Sequence, residues 1–328
     1  MTLGEYLEQW LASLGMAQLE PTTLSWYRSA IQSHIVPMLG RVKLAKLDAL
    51  TIEAFLADKA AHGRLAGKGK AARYGGLPLG AASVRRLQIT LHAALDAAVR
   101  TGLLFANPAD IAARPKVPTR DVTVDAWAPE QVAAFLAATA SDRLAPLWRL
   151  QSMTGLRRSE IVGLWWPDVD LEAGTLTVRR AVVLVDGKPH IKAPKTARSR
   201  RTVELDAGTV VSLRRWRVAQ MEERLRAGSA WTSGEWVFTD ELGRSLHPES
   251  ISTRFERIVR EAALPPITVK GLRHSHATAL LKSGANPKVV AERLGHSSIS
   301  VTLDIYSAVL PNMQRAAVEH LAASLGGE

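Results

Sequence analysis

The sequence predicts a mainly α fold with a small antiparallel β-sheet, arranged as a helical bundle over residues 1–108, a linker over 109–127 and an α+β domain over 128–328. Three observations carry this. The first hundred residues hold four apolar stripes at helical period with no strand signal. Residues 109–127 contain Pro115, Pro118 and several basic side chains but little periodicity. Beyond them, helical patterns are interrupted by three short β-branched runs between Thr175 and Leu205.

In the first part, Leu3, Leu7, Trp10, Leu11 and Leu14 mark one face of a helix over Thr2 to Leu14. Pro21 opens a second helix carrying Leu24, Tyr27, Ile31 and Ile35, expected to stop at Pro37. A third is expected over Leu50 to Ala61 with Thr51 as its cap, and a fourth over Ala82 to Thr101 with Val84, Leu87, Leu91, Leu95 and Val99 inward. In the second part, helices over Pro129 to Ala140 and Leu144 to Thr154 lead into Thr154-Gly155-Leu156-Arg157-Arg158-Ser159-Glu160. The glycine breaks one helix and the next begins near Arg158, which leaves Arg157 where backbone N–H groups favour an anion. Thr175 to Val178, Ala181 to Val185 and Arg201 to Leu205 are expected strands, with Asp186-Gly187 as a hairpin turn. A helix over Ala207 to Leu225, a strand at Trp236 to Phe238 and a helix over His247 to Ala262 follow.

At 328 residues, the chain can bury two cores. Its 42 Lys and Arg against 31 Asp and Glu leave a formal charge of +11, a balance that favours a polyanionic partner. The placement says more than the total. Arg64, Lys68, Lys70, Arg73, Arg85 and Arg86 follow one another with no acid between, and a second basic run from Lys188 to Arg201 includes Arg198 and Arg200. Both runs are broken by glycine or proline and suit loops offered to a phosphate backbone. The sequence has no cysteine, which excludes disulfides, thiol nucleophiles and cysteine-bound zinc. No apolar run reaches membrane-spanning length and no secretory signal opens the chain, so a cytoplasmic location and no membrane partner are expected. There is no phosphate-binding Gly-x-x-x-x-Gly-Lys loop, no paired-histidine helix motif and no carboxylate cluster spaced for magnesium, so neither cofactor nor metal is expected.

The stretch Thr268 to Pro311 gathers an arginine, several histidines and one tyrosine into short helices. Gly284 and Gly295 suit left-handed stops, Pro287 a first helical turn, and Tyr306 falls one position past the apolar line Val301, Ile305 and Val309. Tyrosine is a weak nucleophile at its free pKa of about 10 and needs cationic neighbours. Guanidinium matches two phosphate oxygens with a planar fork, and imidazole adds a donor or accepts a proton near neutrality. Taken singly, Tyr306, Arg273 and His296 each have an ordinary reading as a helix or turn residue. Their order and spacing point to phosphoryl transfer.

Gly271-Leu272-Arg273-His274-Ser275-His276-Ala277-Thr278, Leu294-Gly295-His296-Ser297-Ser298-Ile299-Ser300 and Thr302-Leu303-Asp304-Ile305-Tyr306 resemble the signature blocks of the tyrosine recombinase family, in its phage integrase branch. The 154–160 block resembles the family's first arginine block, and Ala193-Pro194-Lys195-Thr196-Ala197-Arg198-Ser199 is similar to the hairpin carrying its catalytic lysine, which indicates Lys195 rather than Lys192. The first hundred residues resemble the core-binding domain of integrases, down to Gly102-Leu103-Leu104 before Asn107-Pro108.

The resemblance implies Tyr306 as nucleophile, Lys195 as general acid, and Arg157, Arg273 and His296 on the phosphate, with Glu160 orienting an arginine. Lys270 stands where the family usually has histidine, and an electrostatic role is expected for it. The resemblance also implies double-stranded DNA attachment sites as partner and a homo-tetramer on DNA, while accessory directionality or DNA-bending factors leave no signature. A non-catalytic DNA-binding or architectural protein of the same fold is the alternative. Many integrases carry a small arm-binding domain ahead of the bundle; here the bundle starts at once, which implies a simple-type protein or a shortened chain.

Overall fold

The computed structural model describes residues 1–15, 19–65, 75–116, 126–193, 200–296, 298–300, 302–303, 305, 318 and 322. It divides into two units, Met1–Val122 and Thr123–Glu328, each with its own core.

In the first unit, α1 (Leu3–Leu14) starts at a reciprocal cap. The Thr2 N–H donates to Glu5 Oε2 at 2.7 Å, and Thr2 Oγ1 accepts from the Glu5 N–H at 3.3 Å. α2 (Pro21–Ala30) does not stop at Pro37. It runs through a π turn over Ile31–Ile35, in which the Val36 N–H reaches back to the Ile31 carbonyl, into α3 (Val36–Leu39). The widened turn sets the proline, which has no N–H to give, in the first turn of the following helix, where none is needed. α4 (Ala49–His62) is capped by Asp48, whose carboxylate accepts from the Thr51 N–H at 2.8 Å, so Thr51 is the capped residue and not the cap. α5 (Ala81–Arg100) lays Val84, Leu87, Leu91 and Leu95 against Leu3, Leu7, Ile31, Ile52 and Phe55. The expected linker is narrower than 109–127: Ala109 and Ala112 are buried in this unit, Asn107 donates to the His92 carbonyl, and the Ala113 N–H donates to Glu53.

The second unit is built on an aromatic nucleus of Trp127, Phe135, Trp148 and Phe255, with neighbouring ring centroids 5.2–5.9 Å apart. Trp127, expected in the linker, is a core residue here, and its backbone N–H donates to Ser275 Oγ at 2.7 Å. α6 (Pro129–Ala138) and α7 (Ala145–Thr154) supply two of these rings, and α8 (Arg158–Val162) is short. β1 (Val169–Asp170), β2 (Thr175–Val178) and β5 (Arg201–Glu204) form an antiparallel sheet in the order β1-β2-β5. β3 (Ala181–Val185) and β4 (Lys188–Lys192) pair as a hairpin through Asp186 and Gly187, both at positive φ. The start of the basic run at Lys188 is therefore strand and not loop, because the hairpin turn carries pairing past the last β-branched residue. Residues 236–238 make no regular strand: Trp236 bridges Trp165, Thr239 bridges Ser245, and Val237 and Phe238 lie between them as core side chains. α9 (Ala207–Ala227), α10 (Pro248–Glu261), α11 (Val269–Lys282) and α12 (Pro287–Leu294) complete the described elements.

Candidate active site

α7 ends at Gly155, at φ +64°. A Cβ there would sit 2.6 Å from Leu294 Cδ2 and 2.8 Å from His276 Cδ2, so the turn needs glycine for both its backbone conformation and the closeness of α11 and α12. The turn delivers Arg157 to the head of α8, where Glu160 Oε2 accepts from the Arg157 N–H at 2.8 Å and Oε1 accepts from its Nη1 at 2.6 Å. α11, capped by Thr268, carries Arg273 on its inward side.

Both guanidinium groups converge on the end of α12. Arg273 Nη2 donates to the Leu294 carbonyl at 2.7 Å and Nη1 to Gly155 O at 2.8 Å; Arg157 Nη2 donates to the next carbonyl, Gly295, at 2.7 Å. The last carbonyls of a helix lack intrahelical partners and bear its negative end, which is what the arginines neutralise. Each guanidinium has five N–H donors, and partners among the described residues take two of them. The remaining edges can serve an anion. Arg157, Lys270 and Arg273 line a groove of about 490 Å³ together with Ser159, Ser252 and Thr268. Arg273 is only 7% exposed. Burial and then the charge of Arg157 push its pKa down to about 9, against the pull of Glu160, and it stays cationic at neutral pH.

His296 follows Gly295, whose left-handed φ of +66° ends α12. Its Nδ1 is 2.7 Å from Oγ1 of the buried Thr302. Burial, then Arg273 and Arg157, hold its pKa down to about 4, so the ring is neutral at pH 7. Glu160 is buried, which alone would raise its pKa; hydrogen bonds and charge from Arg201, then the charge of Arg157, outweigh this and keep it a carboxylate.

The structure thus brings together Arg157, Glu160, Lys270, Arg273 and His296. Tyr306, Lys195, Arg198, Lys68, Lys70 and Arg73 lie outside the described residues. Arg64, Arg85 and Arg86 are exposed on the first unit, with Arg86 over the Trp26 ring at 5.0 Å, and Arg200 is exposed on the second. In the sequence Arg201 is only the start of a strand, yet its guanidinium is buried on Glu160. A signal exists: in Arg201-Thr202-Val203-Glu204 the arginine shares the inward register of Val203. Arg293, which no motif marks, donates to His276 Nε2 and to the Met153 and Glu204 carbonyls.

The chain also matches known proteins in sequence and in fold. Residues 126–313, more than half of the chain, match the family model described as Phage integrase family, and residues 2–59 match the Phage integrase, N-terminal SAM-like domain. The chain belongs to the phage integrase family, a family of tyrosine-type site-specific DNA recombinases. It is similar to a tyrosine recombinase XerC-like protein of Caldanaerobacter subterraneus subsp. tengcongensis, 29% identical over 98% of this chain and 83% of the relative. Among solved structures it shares the fold of the Tn1549 transposon integrase in complex with transposon right end DNA, with a TM-score of 0.78 at 19% identity over 98% of this chain and 100% of the other. It shares it also with a lambda integrase tetramer bound to a Holliday junction, with a TM-score of 0.63 at 19% identity over 93% and 77%. Among the described residues, no helix is long and apolar enough to cross a membrane.

Proposed function

We propose that this recombinase cuts and rejoins double-stranded DNA at attachment sites of a phage or other mobile element, through a 3′-phosphotyrosyl intermediate. The observation that carries the reading is the convergence of Arg157 and Arg273, from distant parts of the chain, on the adjacent carbonyls of Leu294 and Gly295 beside the neutral His296. Their outward N–H groups and Lys270 take the non-bridging oxygens of the scissile phosphate, and stabilise the extra charge of the pentacoordinate phosphorane. The Tyr306 hydroxyl gives up its proton to solvent as its oxygen attacks phosphorus, the bond to the 5′-oxygen breaks, and Lys195 supplies the proton that makes that oxygen a hydroxyl. A 5′-hydroxyl from the partner duplex reverses the step and releases the tyrosine. His296, its Nδ1 engaged by Thr302, offers Nε2 as a further hydrogen-bonding group to the phosphate.

Arg64, Lys68, Lys70, Arg73, Arg85, Arg86, Arg198 and Arg200 supply further contacts to the DNA phosphate backbone. Strand exchange between two duplexes needs four active sites, so the working assembly is a homo-tetramer on DNA, as in the lambda integrase complex. The protein acts in the bacterial cytoplasm, where that DNA lies.

Detergent-stable complexes are to be captured from cells carrying the wild type or Tyr306→Phe, and the attached DNA sequenced. The wild type yields one recurrent sequence bound covalently, and Tyr306→Phe binds the same sequence with no covalent link. No adduct from the wild type refutes the enzyme reading in favour of a DNA-binding role; an adduct from Tyr306→Phe places the nucleophile elsewhere.

A further inference from the structure

Arg201 is an arginine where an apolar residue would be cheaper to bury. Its side chain is 6% exposed, and its neighbours account for the charge: Nη1 and Nη2 donate to Glu160 Oε1 and Oε2 at 3.1 and 2.9 Å, and Nε donates to the Arg293 carbonyl at 2.6 Å. Glu160 accepts in addition from the Arg157 backbone N–H and from its Nη1. These four bonds use the roughly four lone-pair sites of a carboxylate, so Glu160 has one orientation while both arginines are present. The guanidinium also packs close against Gly295, where a Cβ would come within 2.8 Å of Nη1 and 3.0 Å of Cζ.

Stability does not explain the arrangement. A buried arginine and carboxylate replaced by well-packed apolar side chains is often neutral or stabilising, because desolvation offsets most of the attraction. What the fork supplies is geometry. Through Glu160 it sets the guanidinium of Arg157, and through the Arg293 carbonyl it sets the turn at Leu294 and Gly295 on which Arg157 and Arg273 rest and from which His296 projects.

We propose that Arg201 is a positioning residue for phosphate capture, touching no DNA itself but locking β5, α8 and the end of α12 so that Arg157, Arg273 and His296 present one fixed set of donors. This rests on the reading of Arg157 and Arg273 as phosphate ligands. Without the fork, Glu160 is free to turn and take both Nη groups of Arg157, drawing away the edge that faces the groove. Lysine keeps the charge but is a point donor and cannot replace the fork.

The test is single-turnover cleavage of a nicked cognate duplex by full-length protein, with wild type, Arg201→Lys, Arg157→Lys and the double variant, each also followed by thermal melting and DNA binding against salt. Arg201→Lys should cleave about 10²-fold more slowly, the scale of loss from displacing a group that contacts the reacting centre. Its DNA affinity and salt slope should match the wild type, and the double variant should be no slower than Arg157→Lys alone, because both changes remove one function. If Arg201→Lys does not fold, Glu160→Gln breaks the same link from the other end and should show the same non-multiplying loss. A rate for Arg201→Lys within about threefold of wild type, losses that multiply, or a reduced salt slope each overturn the positioning role. Absence of any adduct from the wild type is a separate outcome: it removes the function reading on which this one stands.

Discussion

His276 lies on α11 behind the Gly155 turn, with Nδ1 3.0 Å from the Ser152 carbonyl and Nε2 3.3 Å from Nε of Arg293. A carbonyl only accepts and the arginine Nε only donates, so the pocket requires a neutral ring with its proton on Nδ1. A second proton on Nε2 would break the bond from Arg293 and set two cations face to face. Burial first, then the charge of Arg293, lower the pKa from 6.5 to about 4, against the pull of the Ser152 bond. The sign follows from proton binding: below pH 6.5 the unfolded chain takes up a proton that the folded chain refuses, so stability falls with pH until about pH 4 and not beyond. At pH 5 the two pKa values imply a loss of about 2 kcal/mol, a sizeable part of a domain stability of roughly 5–15 kcal/mol. Urea unfolding of the wild type and His276→Gln at pH 7.5 and 5.0 measures it. Glutamine keeps a donor and an acceptor and does not titrate, while His296 and His274 contribute to both proteins alike. The wild type should lose about 2 kcal/mol more than the variant between the two pH values; equal losses would refute the neutral, buried assignment of His276.

At Lys270, exposed on the groove beside the two arginines, Lys270→Arg and Lys270→His should retain most cleavage and Lys270→Ala should lose part of it. If Arg is as inactive as Ala, and the pH-rate profile loses its basic limb in both, Lys270 is a general base and not a fixed charge. Lys195→Ala should slow cleavage by about 10² to 10⁴, the range for a positioned general acid, and a bridging 5′-thio substrate, whose leaving group needs no proton, should restore most of the rate. No rescue would transfer the acid role, with Lys192 tested next. Neutralising Lys68, Lys70 and Arg73 together should flatten the salt dependence of DNA binding by about 0.9 in log-log slope for each phosphate that no longer meets a cation; an unchanged slope would place the 66–74 stretch off the DNA. Covalent trapping should proceed in EDTA, and a strict magnesium requirement would contradict the proposed site.

Local chemistry was legible in the chain itself. Helical stripes, the Pro21 and Pro287 starts, the Gly155, Gly284 and Gly295 stops and the Asp186-Gly187 hairpin all follow from backbone preferences of a few neighbouring residues, and the structure has each of them. The sequence likewise marked Arg157, Arg273 and His296 as residues able to hold a phosphate, since that depends on side-chain type and motif order. What it could not contain is contact between distant positions. The helix running past Pro37 required a π turn that no propensity announces, and the ends of the linker were drawn by burial of Ala109, Ala112 and Trp127 in two cores. Arg201 is the sharpest case. In a row of arginines, one at a strand start looks like another solvated charge, and only the packing of β5 against α8 and α12 turns it inward onto Glu160. Burial and partner choice are properties of the folded surface each side chain meets, and these decided which of the many cations here build the site and which remain for the solvent or the DNA.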